Sequence, residues 1–575
     1  MRRILTAIGL VLLLASPVQA RQPAADLVLM HGIVLTVDDK DSQAQAMAIR
    51  DGRIVAVGSD TAIRQHIGRK TQVVDLAGHT ATPGLIDSHA HILEGGLKEL
   101  FYLELSHTTS IADLLAGVRG QAARLAPGEW LQGAGWNEGA LAEHRAPTLT
   151  ELDATSDGHP LWLMNTTHHY GVANSAALAL AGIDATTPDP MAGTIDRDAA
   201  GKPTGILKEA AMQLVVSKLP PESPAHRRAA LLHVMDEMHA EGMTGVKDPW
   251  LLPADWDAYV GLARNGELTA HACALFYAGA DMTSAQNVVA TVKHARLDAA
   301  TISGHDLSVC GVKILLDGSA MARTAWMSDD YPADAAHPAP TGHGYPTVEP
   351  GTFRNMVRLF VAEDISIGTH VIGDQAIDLA ADAYADALAA TPQHGLRLSL
   401  IHAHHPSDHA LAVMADLEKR YDAGYPEIQA PFLWWLGDAL PSAFGPERSQ
   451  HLMPLATYRR DDIIFGGGSD YPVTPLAARY GLWASVARQP LNGVYGQQPF
   501  GTAEAVDIHT ALRSYTIWNA RQLFLDEETG SLEVGKWADI AIWDRNPYTV
   551  ATAELKDMTC LMTFYKGKLV YRAKS

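Results

Sequence analysis

The chain has 575 residues, 47% hydrophobic and 19% charged, enough apolar material for a large core and too much for a disordered protein. Its formal net charge is −21, from 44 Lys+Arg against 65 Asp+Glu, a balance that repels phosphate backbones and anionic membranes. Nucleic acid is therefore not expected as a partner, and a small molecule is.

Residues 1–20 read as a cleavable secretory signal. Arg2 and Arg3 precede the apolar run Ile4 to Ala15, and Val18-Gln19-Ala20 supplies the small-residue end. The run is too short to span a bilayer comfortably and no Cys follows it, so no stable membrane anchor is expected after cleavage. Loss of the two arginines takes the charge from −21 to −23. The expected location is periplasmic or secreted, with ordinary and twin-arginine export both open. Cys273, Cys310 and Cys560 are widely separated and odd in number, so buried free thiols rather than a disulfide framework are expected.

From Ala25 onward short strands alternate with turns, and Asp51-Gly52 between two apolar runs is a hairpin signal. The stretches 530–544 and 561–571 read the same way, so residues 22–81 and 522–575 are expected to assemble one small β-domain from both termini. Between 82 and 521 apolar strands alternate with Ala-rich helical stretches, the pattern of parallel strands with crossover helices. Eight candidate strands lie near 84–91, 243–248, 269–277, 309–317, 365–371, 397–404, 426–430 and 463–470. Eight such units imply an α/β fold, a (β/α)₈ TIM barrel whose chemistry sits at the C-terminal strand ends. The stretch between the first two candidates is too long for one helix and loop, which predicts an inserted subdomain at about 97–240. The Pro-rich run Tyr331–Pro350 reads as a long loop over the barrel mouth.

Polar residues collect at these strand ends. Gly84-Leu85-Ile86-Asp87-Ser88-His89-Ala90-His91 runs from apolar to polar, and strand alternation places Asp87, His89 and His91 on one face. Strand four carries Lys313 and Asp317 on one face, and an ammonium in an apolar strand is costly unless paired or chemically altered. Strand five ends at His370, strand six at His402-Ala403-His404, strand eight at Asp470. A lone strand histidine is usually a core residue, but four His, one Lys and one Asp at the same ends of barrel strands form a coincidence that suits a metal such as zinc.

The ordered set of motifs resembles the amidohydrolase superfamily, in particular amidohydrolase family 3, the branch of N-substituted formamide deformylase-like metal-dependent hydrolases. Gly84 to His91 carries the resemblance together with Pro203-Thr204-Gly205-Ile206-Leu207, Gly311 to Ser319, Arg323-Thr324-Ala325, His370 to Asp374, Gly468 to Val473 and Gly530 to Asp539. It implies a barrel flanked by a composite β-sandwich, and one or two divalent metals. His89 and His91 would bind one metal and His370 and His402 the second. Lys313, carboxylated by CO₂ to a carbamate, would bridge them, and Asp470 would be both ligand and catalytic base. Hydrolysis of a non-peptide C–N bond (amide, N-acyl or N-formyl) by metal-activated hydroxide follows from that resemblance. A deaminase, an esterase or lactonase, and a non-catalytic binding protein are the alternatives.

Two positions depart from the family pattern: Gln375 stands where Arg is usual, and Ile401 where Glu precedes the strand-six histidine. Motif position makes His402 the ligand, with His404 on the same face as its rival. His169, matching a family His-x₄-Asn-Ser stretch, and Asp317 and Arg323 are the candidates for contacting substrate.

Overall fold

The computed structural model describes residues 23–302, 304, 306–333, 341–492 and 501–574. The expected signal segment and residues 334–340 of the Pro-rich run lie outside the described residues. The central sheet has eight parallel strands: β1 Leu85–Asp87, β2 Met243–Leu251, β3 His271–Tyr277, β4 Leu307–Leu315, β5 Ile367–Val371, β6 Ser399–His402, β7 Tyr425–Ile428 and β8 Gly466–Gly467. They lie in chain order, each paired with its sequence neighbours. No ladder joins β8 to β1. The gap is closed by Ser88 N donating to Gly467 O at 3.1 Å and by Asn519 Nδ2 donating to both Ile86 O (2.6 Å) and Gly467 O (2.7 Å). The eight candidate strands are thus the eight strands of a near-closed (β/α)₈ barrel.

Crossover helices form where capping residues start them and Ala, Leu and Val fill one face. Asp281 accepts from Thr283 N and Ser284 N at the head of Met282–Ala300, and Ser407 caps Asp408–Tyr421 through Ala410 N. Between β1 and β2 the chain builds a separate six-stranded sheet, in the order Gly193–Arg197, Pro203–Glu209, Tyr170–Ala173, Leu161–Asn165, Leu131–Trp136, Leu103–Glu104. Two further sheets come from the ends of the chain. Asp51 and Gly52, at φ 52° and 77°, turn Ala46–Arg50 into Arg53–Gly58 as the hairpin signal required. Ile540–Trp543 pairs antiparallel with Thr80–Pro83, joining the C-terminal to the N-terminal segment around a core that includes Leu29, Met47, Ile540 and Phe564. Thr80–Pro83 then runs through Gly84 directly into β1.

The cysteine expectation is corrected. Cys273 on β3 and Cys310 on β4 are joined in a disulfide, with Cα atoms 5.5 Å apart, and only Cys560 is free. The cause is local. The β3–β4 register jumps from Ala274↔Val309 to Leu275↔Gly311, which leaves Cys310 as an extra residue in the strand. Gly311 makes this possible: its φ is 128°, and a Cβ there would lie 2.1 Å from Ser366 O. In a regular strand Cys310 and Lys313, three residues apart, would face opposite ways. The bulge brings both into the barrel interior.

Candidate active site

The C-terminal strand ends open into a cavity of about 460 Å³, whose floor holds His89, His91, Lys313, His370, His402 and Asp470. Strand alternation explains only part of this convergence. β1 stops at Asp87, and His91 is already the residue before the helix Ile92–Phe101. The Asp87 carboxylate braces the turn by accepting from His89 N at 2.9 Å and Ser469 N at 3.0 Å, tying the β1 end to the β8 end.

Asp470 is the hub. Its Oδ1 lies 3.3 Å from His89 Nε2 and 3.2 Å from His91 Nε2, and its N donates to His89 O at 2.7 Å. Its φ of 55° is left-handed, a conformation that costs a non-glycine residue on the order of 1–3 kcal/mol and collects at functional sites. Burial opposes ionisation of this carboxyl, yet the two imidazoles hold it well below the usual carboxylate range. Lys313 Nζ lies 3.3 Å from His89 Nε2, and burial pushes its ammonium down to about 7.

The second half of the cluster lies across the floor. His402 Nδ1 donates to Gln429 Oε1 at 2.6 Å, which leaves its Nε2 with a lone pair. Its ring centroid is 4.5 Å from that of His370 and 5.5 Å from that of His89. His370 is oriented by the Gly318 carbonyl, 3.3 Å from Nε2. Burial drives both imidazoles well below their ordinary pKa, so both are neutral. Ligand atoms of His89, His402 and Asp470 lie within 4.8 Å of one another. Neutral imidazoles and an ionised carboxylate, all buried, are a donor set that fits a divalent metal. His404 is outside this group. It turns toward Phe432, with ring centroids 5.5 Å apart, and its Nε2 has no hydrogen-bond partner among the described residues.

The three residues expected at the substrate divide. His169 lines the cavity, its Nδ1 held 3.0 Å from Glu209. Burial works against its imidazolium, but the Glu209 charge holds its pKa above the ordinary value. Asp317 does not reach the cavity: β4 ends at Leu315, and the Asp317 carboxylate accepts from Trp326 N, Ile372 N and Gly373 N at 3.0, 3.0 and 2.8 Å. Arg323 ties loops together instead, donating to Pro332 O and Thr341 Oγ1 at 2.9 and 2.8 Å and to Ser442 O at 3.2 Å.

Several residues around the site escaped the sequence reading. Glu209 sits two residues past the Pro203–Leu207 motif and also accepts from Thr324 Oγ1 at 2.6 Å. Lys247 on β2 and Glu427 on β7 form a buried ion pair across the barrel, with Glu427 Oε2 3.5 Å from His89 Nδ1. Burial opposes the Glu427 charge, yet Lys247 and His89 hold it down at about 2. An ammonium in an apolar strand, the signal that singled out Lys313, is present at Lys247 as well. Glu94, Lys98 and His168 form a third polar group, with Lys98 Nζ 2.8 Å from Glu94 Oε1 and 2.7 Å from His168 Nε2.

A (β/α)₈ barrel with a buried histidine–aspartate–lysine cluster at its C-terminal face defines a hydrolase-type site. The chain belongs to the amidohydrolase family, whose model matches residues 72–571. It is 29% identical over 557 residues to the N-substituted formamide deformylase of Arthrobacter pascens, covering 95% of this chain and 98% of that protein. It is 28% identical over 558 residues to Protein LONG AFTER FAR-RED 3 of Arabidopsis thaliana, covering 95% and 92%. An uncharacterized metal-dependent hydrolase of Pyrococcus horikoshii OT3 shares the fold, with a TM-score of 0.70 and 24% identity over 92% of this chain and 99% of that one.

Proposed function

We propose that this protein hydrolyses C–N bonds other than peptide bonds, in amides and above all in N-acyl or N-formyl amines. The observation that carries the reading is Asp470 Oδ1 lying within 3.3 Å of two histidine ring nitrogens at the cavity floor. His89, His91, Lys313, His370, His402 and Asp470 would hold one or two divalent metals, zinc being the metal their donor atoms suit. A metal there supplies a water acidic enough to be used near neutral pH and polarises the substrate carbonyl. The chain's own groups do the rest. Asp470, kept ionised, takes the proton of the attacking water and delivers it to the departing nitrogen, which leaves as a neutral amine. His169, its Nδ1 fixed by Glu209, turns its other nitrogen to the carbonyl oxygen and holds the charge that develops there. Lys313, with its ammonium weakened by burial, is suited to carry a CO₂-derived carbamate.

The space on either side of Asp470 favours a small acyl group on a bulky amine. The main cavity is walled by Leu93, Leu97, Met164, Met212 and Trp250, with Trp250 stacked on Tyr277 at 3.9 Å. On the other side, past His370 and His402, a smaller pocket of about 30 Å³ is lined by Ser319, Ala320, His404, Phe432 and Leu436. That is room for about one water or a one-carbon group. The formamide deformylase relative supports the same direction.

Purified, metal-assayed protein tested on N-formyl, N-acyl and cyclic amides is expected to release amine fastest from N-formyl compounds with apolar amine substituents. Absence of stoichiometric metal, with Asp470→Asn hydrolysing every responsive substrate at the wild-type rate, overturns the reading. Lys313→Ala is expected to lose metal and activity and to regain part of both with small carboxylic acids; full activity without rescue removes the carbamate. We also infer export, supported by the basic-then-apolar start of the chain and by a cysteine pairing that suits an oxidising compartment. Mature protein from the cell envelope should begin at Arg21, and a mature chain retaining Met1 in the cytoplasm overturns this.

A further inference from the structure

The two spaces at the reacting centre share a wall of His169, His370, His402 and Asp470, so a carbonyl placed there sends one substituent into each. With the amine in the main cavity, the group on the other side of the carbonyl carbon enters the smaller pocket of about 30 Å³. Of the residues that line this pocket and not the main cavity, Ser319 and His404 are polar; the others, Met321, Phe432 and Leu436 among them, are apolar. Ser319 Oγ already accepts from Ala322 N at 3.2 Å. His404 is 2% exposed, and its Nε2 has no hydrogen-bond partner among the described residues.

A ring kept only to fill space explains the burial but not the nitrogen. A buried polar atom without a partner costs stability, a cost that the neighbouring Phe432 and Leu436 do not incur. The ring is also held in place. His404 O accepts from Met453 N and Ala403 O accepts from the Tyr458 hydroxyl, both at 2.8 Å. His402 and Phe432 meet the ring edge-on, with centroids 5.5 Å away in each case. A fixed nitrogen beside the reacting carbonyl selects what enters. Room for about one heavy atom restricts the group on the carbonyl carbon to hydrogen, methyl, hydroxyl or amino. Hydrogen leaves the nitrogen unmatched, and methyl covers it with an apolar group. Hydroxyl makes the substrate a carbamic acid, which breaks down without an enzyme. An amino group fills the space and donates an N–H to Nε2 when the ring's own proton is on Nδ1.

We propose that the protein also hydrolyses N-carbamoyl amines, that is, monosubstituted ureas, with His404 as the residue that recognises the carbamoyl NH₂. The inference rests on the hydrolase reading above and adds a substrate class to it. One water is consumed. Its oxygen bonds to the carbonyl carbon, the bond from that carbon to the substituted nitrogen breaks, and Asp470 passes the water's proton to the leaving nitrogen. The products are the free amine and carbamic acid, which falls apart to ammonia and CO₂. His404 does not touch the breaking bond; it sets which acyl group is accepted.

The test follows benzylamine release from N-benzylurea, N-benzylacetamide and N-benzylformamide by full-length, metal-assayed protein. Urea and acetamide differ only in NH₂ against CH₃, and ureas are the less electrophilic. The readout is therefore the urea-to-acetamide ratio of kcat/KM in each variant, not either rate alone. Wild type should release benzylamine from the urea. His404→Leu and His404→Met, two apolar replacements of which one folding suffices, should lower the ratio at least about tenfold. His404→Gln, whose amide oxygen can accept the same N–H, should keep most of it, and metal content should match wild type in all three. Cleavage of the formamide or acetamide by wild type but not of the urea, or a ratio unchanged in the apolar variants, overturns the proposal and leaves the hydrolase reading standing. Loss of metal from the variants does the same, since it would make His404 a ligand. No release from any of the three compounds by metal-loaded wild type overturns both.

Discussion

The barrel carries two His-x-His sequences at strand ends, and they have different fates. His89 and His91 both reach Asp470 Oδ1, at 3.3 and 3.2 Å. His402 and His404 part company: His402 joins His89 and Asp470, while His404 lies against Phe432, its Nε2 without a partner among the described residues. The backbone explains the difference. At the end of β6, His402, its last residue, and Ala403 take left-handed φ values, 74° and 39°, so the chain swings away and the strand's alternation ends there. After β1 the chain is held instead by the Asp87 carboxylate and by His91 N donating to Tyr471 O at 2.7 Å, and both rings stay aimed at one point. An i, i+2 spacing thus brings two rings to one point only where the following turn preserves it.

The contrast can be broken at its common partner first. Asp470→Asn should lower kcat by about 10³-fold or more, because it removes the proton carrier as well as an anionic ligand. Next comes the strand-six pair itself. His402→Ala should lose metal, with affinity down by at least about 100-fold, while His404→Ala keeps wild-type metal content; metal analysis of both variants decides, and the reverse result would exchange the two roles. A smaller effect is expected at Gln429→Met, which frees the His402 ring without deleting it. Metal affinity should fall about tenfold, and excess metal should restore activity.

The smallest effect on activity should come from a buried histidine that has its own acid and no place in the site. His271 Nε2 lies 2.8 Å from Asp539 Oδ2, which also accepts from Thr529 Oγ1 at 2.7 Å. Burial opposes the Asp539 charge, but His271 holds the carboxyl below its ordinary 3.8. With the folded-state pKa depressed, the stability it contributes is full above about pH 3.8 and is lost as pH falls through the lower folded value. Asp539→Asn should leave kcat unchanged and cost about 3 kcal/mol near neutral pH. It should also flatten the decline of unfolding free energy below pH 3.8 in denaturant titrations, and a decline as steep as wild type would remove Asp539 from the acid response.

Much of the architecture was legible in the linear order. Eight apolar runs separated by helical stretches became β1 to β8, Asp51-Gly52 became its hairpin, and the polar ends of strands one, four, five, six and eight came together at one cavity. These follow from periodicity and from the parallel βαβ rule, both local properties of the chain. Other features were decided only by the tertiary structure. Cys273 and Cys310 meet because a bulge at Cys310, permitted by Gly311, turns a side chain that alternation assigns to the other face. Asp317 and Arg323 stand in matching motifs, yet the Asp317 carboxylate is taken up by the N–H groups of Trp326 and Gly373, and Arg323 by Pro332 O, Thr341 Oγ1 and Ser442 O, partners that reach from nine to 119 residues along the chain. Glu209 under His169 and Glu427 under His89 stand 40 and 338 residues away in sequence from the rings they face. Spacing reports which side chains share a face of a regular element. Which faces meet, and where an element ceases to be regular, is settled by packing among segments far apart in the chain.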